Sequence, residues 1–228
     1  FKTIIKSHKM KEKLIKNKIT LIVLISACFV ILISMGIRQT FGLFFQAFEE
    51  GLGTSRTNFG LAIGIQMIFW GIFSPVFGLF ADKYGGNKAV FIGFLIMGLG
   101  IFMLFNGPNT GIFFQLSLGL LIGTALGATA LAVPVSEVGK HFTNENRTIA
   151  TGLVTAAASV GYFIAPLFTK YSLGVYGWQE TLKYFLYLVF IGAIFSMFIL
   201  PSKTISSYSN DSQKNQSFTE AIKEAFSH

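Results

Sequence analysis

One arginine and one short charged turn are the groups in this chain that could do chemistry. Arg38 interrupts a run that is apolar before it, Ile19 to Ile37, and largely apolar after it, Thr40 to Phe48. Burying a guanidinium in hydrocarbon costs about 2.5 kcal/mol or more, so it either faces a cavity and binds something or sends its head to the lipid headgroups. On a helix, Phe41, Gly42 and Phe45 follow at i+3, i+4 and i+7, setting a cation beside aromatic and small surface that suits a small carboxylate. From the residues alone both positions stay open.

The turn is GLFADKYGGNKAV, where Gly78, Asp82, Lys83, Gly85 and Lys88 place three charges and a tight reversal between two apolar runs. Glycines there let two helices approach and the chain turn, and Asp82 is expected near positive helix N-termini. Few other polar groups enter the apolar runs. Gln39, Gln66 and Gln115 are expected to form interhelical hydrogen bonds, because an amide in hydrocarbon needs a partner. Glu137 precedes Lys140 by three residues and is expected to pair with it rather than carry protons.

Enzyme chemistry finds little support. His8, His141 and His228 lie outside the apolar runs, and the sequence contains no H-E-x-x-H, no G-x-S-x-G and no phosphate loop. The one cysteine, Cys28, allows neither an internal disulfide nor a zinc site. No metal and no cofactor is expected. The phenylalanines fit lipid-facing packing better than base stacking, so nucleic acid is not an expected partner.

These groups must be held by membrane helices. The chain is 52% hydrophobic and only 12% charged, with mean hydropathy +0.62, against a charged fraction of about 25% in soluble domains. About 20 apolar residues cross a bilayer, and six such runs can be drawn: Ile19 to Phe48, Phe59 to Phe80, Ala89 to Phe105, Gly111 to Ser136, Thr148 to Thr169 and Thr181 to Leu200. The first is too long for one untilted crossing, so its outer part should protrude or line a cavity. It is also longer than a signal-peptide core and no cleavage site follows, so it reads as retained. The chain opens on Phe1, which leaves either a fragment or a natural start at Met10.

Gly119, Gly123 and Gly127 form a ladder, as do Ala157, Gly161 and Ala165 before Pro166; both read as ridges for close helix packing. The formal charge of +8 is dominated by Lys2, Lys6, Lys9, Lys11, Lys13, Lys16 and Lys18 just ahead of the first run. Basic residues resist translocation. The N-terminus, the Asp82 to Lys88 loop, the Lys140 to Arg147 loop and the Lys203 to Lys223 tail fall on one side of a six-span path, which is therefore expected to be cytoplasmic. Three units follow: a basic cytoplasmic N-terminus (1–18), a six-helix membrane domain (19–200) and a cytoplasmic linker (201–228). In the last, Ser217 and Glu220 have the form of a capping box opening a short amphipathic helix with Phe218, Ile222, Ala225 and Phe226.

The turn from Gly78 to Lys88 resembles the G-x-x-x-D-[RK]-x-G pattern that major facilitator superfamily transporters carry between their second and third spans. Gly86 and Asn87 stand where many members have basic residues. GIRQTFGLFFQAF, Arg147 to Leu153 and Gly177-Trp178 resemble the monocarboxylate and oxalate/formate antiporter-like branch. The resemblance covers Ile19 to His228. It implies an all-α polytopic fold, six transmembrane helices forming the N-terminal half of a twelve-helix carrier built from inverted three-span repeats, with the C-terminal half as the missing partner. It further implies alternating-access transport of a small organic anion, a monocarboxylate or small dicarboxylate, across the plasma membrane, the inner membrane in a prokaryote. Coupling to a proton, to a counter-anion or to nothing stays open. Arg38, Phe41, Phe45 and Gln66 would face the substrate, and Asp82, Lys83 and Lys88 would gate. The segment with Gly161 and Pro166 resembles one associated with preventing leak. The alternatives are a non-transporting sensor or assembly subunit derived from such a carrier, or a six-span homodimer.

Overall fold

The computed structural model describes the backbone of residues 2–108 and 110–199 and the side chains of 18–108, 110–143 and 145–199. The expected linker and amphipathic helix at 201–228, and the lysine side chains before Lys18, lie outside the described residues. Within them there is no strand. The helices are α1 (Lys2–Thr40), a 3-10 turn (Phe41–Phe44), α2 (Phe45–Leu52), α3 (Arg56–Tyr84), α4 (Gly86–Asn106), α5 (Gly111–Phe114), a π-helical segment (Gln115–Leu121), α6 (Ile122–Thr129), α7 (Ala132–His141) and α8 (Asn144–Ser196).

Five stretches are long and apolar enough to cross a membrane: Lys18–Leu52, Arg56–Tyr84, Gly86–Asn106, Gly111–His141 and Glu145–Ser196. Their outward faces are greasy. Leu95, Leu99 and Phe102 form an exposed stripe along α4, and Phe163 and Phe190 are exposed on α8; in water such surface would drive aggregation, whereas lipid accepts it.

The fifth stretch is a hairpin. Where two separate spans were expected, helix runs from Asn144 to Ser196 with one non-helical residue, Gly177, at φ 78°, ψ 176°. In a straight helix, residues nine apart lie about 13 Å from each other along the axis. Here the hydroxyls of Ser172 and Thr181 are 2.9 Å apart, and the rings of Phe168 and Tyr184 approach to 6.2 Å. The chain therefore folds back at Gly177, a residue that adopts positive φ without a Cβ clash. Trp178 anchors the reversal: its ring meets Phe48 edge-on at 5.6 Å and lies against Gly51 of α2.

Close packing is organised by glycines. Gly119, Gly123 and Gly127 lie on α3, where a Cβ would meet the Ala62 carbonyl at 3.1 Å, the Gln66 carbonyl at 2.6 Å and the Phe73 backbone at 2.8 Å. Gly161 lies on the Leu32 carbonyl of α1, with Ala165 beside Gly36; Gly93 lies on Ala128 and Gly192 on Phe94. Pro166 stands inside the same limb of α8 as Gly161 and is half-buried. The helices thus pair α1 with α8, α3 with the Gly111–Thr129 stretch, and α4 with both α6 and α8.

The outer end of the first span is two-sided. One face of it is packed into the core, with Phe41, Phe44 and Phe48 fully buried, while Gly42, Leu43, Gln46, Glu49 and Glu50 are exposed. The physical reason is the 3-10 turn, in which side chains at i and i+3 eclipse: Phe41 and Phe44 share one face and turn inward together. Phe44 packs on Phe185, and Phe48 on Phe114.

Candidate functional site

The fourth membrane stretch is discontinuous. Its π-helical segment leaves the Leu118 carbonyl to accept the Gln66 side-chain amide at 3.0 Å. At Ala130 the backbone departs from helix (φ −73°, ψ −138°), so α6 ends and α7 starts within the bundle. Pro134 in the first turn of α7 has no N–H to return to Ala130. The Ser34 hydroxyl of α1 donates to the Thr129 carbonyl at 2.9 Å, satisfying one carbonyl freed by the break. Irregular backbone at membrane depth persists where it is buried in protein or lines a cavity, and here a cavity of about 440 Å³ is lined by Leu131 and Ala132 at the break together with Met67, Trp70, Gly71 and Ser74 of α3.

Arg38 reaches two of those lining residues. Its guanidinium lies 4.9 Å from the centroid of the Trp70 ring, and Nη2 donates to the Met67 sulfur at 3.4 Å. Nε is buried without a partner. Among the described residues no carboxylate pairs with Arg38. The result is a cation held against two residues that line the cavity, with part of its hydrogen-bonding capacity unused.

The other residues named for the substrate are placed elsewhere. Phe41 is fully buried in the aromatic core. Phe45 stacks edge-on with Phe59 at 5.3 Å, and the cation over it is Arg56, at 5.5 Å. Gln66 is 1% exposed and spent on the Leu118 carbonyl. Gln39 is exposed, and Gln115 opens the π-helical segment half-buried. Met67 and Trp70 are the residues the sequence reading missed, since their relevance comes from helix register rather than from their own pattern.

A second polar cluster lies where α3 ends beside α7. Lys140, 15% exposed, donates to Asp82 at 2.7 Å and to Glu137 at 2.8 Å. Glu137 is 2% exposed and Asp82 61%, so one lysine ties a buried acid to an open one and binds α7 to the end of α3. Lys83 lies over the Tyr84 ring at 5.1 Å and Lys88 is exposed. Gly85 takes φ 100°, the conformation that needs glycine, while a Cβ on Gly78 would meet open space. Close approach instead falls on Gly86, whose missing Cβ is replaced by the Glu137 side chain. Gly86→Ala is expected to displace the Glu137 carboxylate from Lys140 and lower stability by about 1–3 kcal/mol. Thermal unfolding in detergent measures this, and an unchanged midpoint would contradict the packing.

Similarity to known proteins agrees with this geometry. Residues 27–228 match the family model described as Major Facilitator Superfamily. The chain is 27% identical to Monocarboxylate transporter 14 of Homo sapiens over 69% of this chain and 30% of that protein. It is 30% identical to Monocarboxylate transporter 13 of Bos taurus over 70% of this chain and 37% of that protein. With Multidrug resistance protein 2 of Bacillus subtilis (strain 168) it shares 26% over 84% of this chain and 46% of that protein. The chain thus spans less than half the length of these relatives. With a matching family model over most of its residues, the chain belongs to the major facilitator superfamily and, within it, resembles the monocarboxylate transporters.

Proposed function

We propose that this chain forms the N-terminal six-helix half of a secondary carrier that moves a small organic anion, a monocarboxylate or small dicarboxylate, by alternating access at the plasma membrane. The observation that carries the reading is Arg38: a cation within a membrane stretch, in contact with Met67 and Trp70 of a cavity of about 440 Å³, with no carboxylate among the described residues to neutralise it. An intramembrane ion without a counter-ion is a functional site by default. The chemistry is binding and conformational exchange, so catalysis and a cofactor have no part in it.

Reading the α8 hairpin as two crossings gives six, with both termini on the lysine-rich cytoplasmic side. A second six-helix half would then complete the site from the other side of the cavity. The face of α3 that carries Gly60, Gly64, Gly71 and Gly78, where an added Cβ would meet nothing within 4 Å, supports such a partner. In this reading the Asp82, Lys140 and Glu137 cluster, with Lys83 and Lys88, stabilises one conformation of the cycle, and coupling is to a proton, to a counter-anion or to nothing.

The test is uptake of labelled lactate, pyruvate and oxalate by the carrier expressed from its complete reading frame. A hydrogen bond to a charged group contributes about 1.5–3 kcal/mol, so Arg38→Gln is expected to lower apparent affinity about 10- to 100-fold. Uptake that survives the substitution undiminished removes the site.

A further inference from the structure

Trp70 has no role in the reading above, yet it is the main contact of the proposed site cation. A carboxylate in its place would neutralise Arg38 and repel an incoming anion. A plain aliphatic wall would leave the guanidinium without compensation for the water it has lost. An aromatic ring does neither: its negative face attracts the cation while adding no net charge. It also acts on a different part of the group. The ring acts on the delocalised charge, with Cζ 4.9 Å from its centroid, whereas the N–H donors radiate from the edge in the fork that matches a carboxylate.

The edge left unpaired here is the useful one. Nε has no partner, and Nη2 is held only by the Met67 thioether at 3.4 Å, a weak acceptor. Nε and Nη2 together form the side-on fork that accepts the two oxygens of a carboxylate. Met67 and Trp70 are three residues apart on α3 and line the same cavity, so one helix face supplies both the platform and the placeholder.

We infer that Trp70 is a positioning residue for anion binding: it holds Arg38 so that the Nε/Nη2 edge stays free of a carboxylate partner, and the Met67 sulfur occupies that edge until an anion displaces it. This rests on Arg38 being the anion site, and the experiment separates the two. Concentration-dependent uptake is measured for whichever of labelled L-lactate, pyruvate and oxalate the wild-type complete carrier takes up, in Trp70→Phe, Trp70→Leu, Arg38→Gln and the Trp70→Leu/Arg38→Gln double variant, with rates normalised to folded carrier.

Phe keeps a π face and Leu does not. The expected result is a KM raised no more than about threefold in Trp70→Phe and about tenfold in Trp70→Leu, with maximal rate per folded carrier retained and no added effect of Trp70→Leu once Arg38 is gone. Equal KM values for Phe and Leu, or a loss confined to the amount of folded carrier, would reduce Trp70 to packing and overturn the inference while leaving Arg38 standing. Arg38→Gln transporting like wild type, or a wild type that takes up none of the three anions, removes the site and this inference with it.

Discussion

Gly161→Ala is expected to weaken the bundle sharply, and Gly161→Leu to leave no folded carrier. The missing Cβ of Gly161 is where the Leu32 carbonyl of α1 lies, and Ala165 of the same limb stands against Gly36, so the two helices meet backbone to backbone. Nothing flexible can yield there, since the atom in the way belongs to a peptide group held by its own helix. Overpacking of this kind costs about 1–3 kcal/mol for one methyl group. At about 2–4 °C of melting temperature per kcal/mol in a chain of this size, Gly161→Ala should melt several degrees early. Leu adds three more carbons to the same contact and should separate α1 from α8, the most extensive pairing in the fold.

Gly174 supplies the control. It lies on the same helix with nothing within 4 Å of an added Cβ, so Gly174→Ala replaces the same residue type without a clash and should be neutral or gain up to about 1 kcal/mol through helix propensity. Thermal unfolding of the purified carrier in detergent, with size-exclusion profiles, compares the pair. Equal melting temperatures for Gly161→Ala and Gly174→Ala would show that α1 and α8 do not meet backbone to backbone at Gly161.

Such contacts mark the boundary of what the sequence conveys. The ladder of Gly119, Gly123 and Gly127 was legible because small residues four apart declare a packing ridge whatever they pack on. Glu137 with Lys140 was legible for the same reason, being local on one helix, whereas Gly177-Trp178 was marked by its resemblance to the monocarboxylate branch and not by its work in reversing α8. What the sequence leaves open is register between helices. Nothing in the order of residues says that Arg38 meets Trp70 and Met67, or that Glu137 lies over Gly86 rather than Gly78 receiving a neighbour. Helical periodicity itself misled at Phe41: extrapolating 3.6 residues per turn through a segment that tightens to a 3-10 turn puts the ring beside Arg38, when it belongs with Phe44 in the core. The break at Ala130 was hidden in an unbroken apolar run, with Pro134 its one written sign.

The ion cluster at the end of α3 carries the second large effect, and its asymmetry decides the direction. Lys140 is shared between Asp82, 61% exposed, and Glu137, 2% exposed. Water can replace the lysine for Asp82, and an exposed pair contributes at most about 1 kcal/mol; Asp82→Asn should therefore change stability little and act, if anywhere, on the balance between conformations. For Glu137 there is no such replacement, because its carboxylate is enclosed between Gly86 and α7. Lys140→Met strands that buried charge, and removing one partner of a buried pair costs about 3–5 kcal/mol. A melting temperature roughly 10 °C lower is expected, on the scale of 2–4 °C per kcal/mol. The double variant Glu137→Gln/Lys140→Met abolishes the stranded charge and should recover most of the loss, giving a strongly non-additive cycle. Should the double variant melt no higher than Lys140→Met alone, the lysine would be acting through something other than Glu137, and the cluster would lose its place as the tie between α3 and α7.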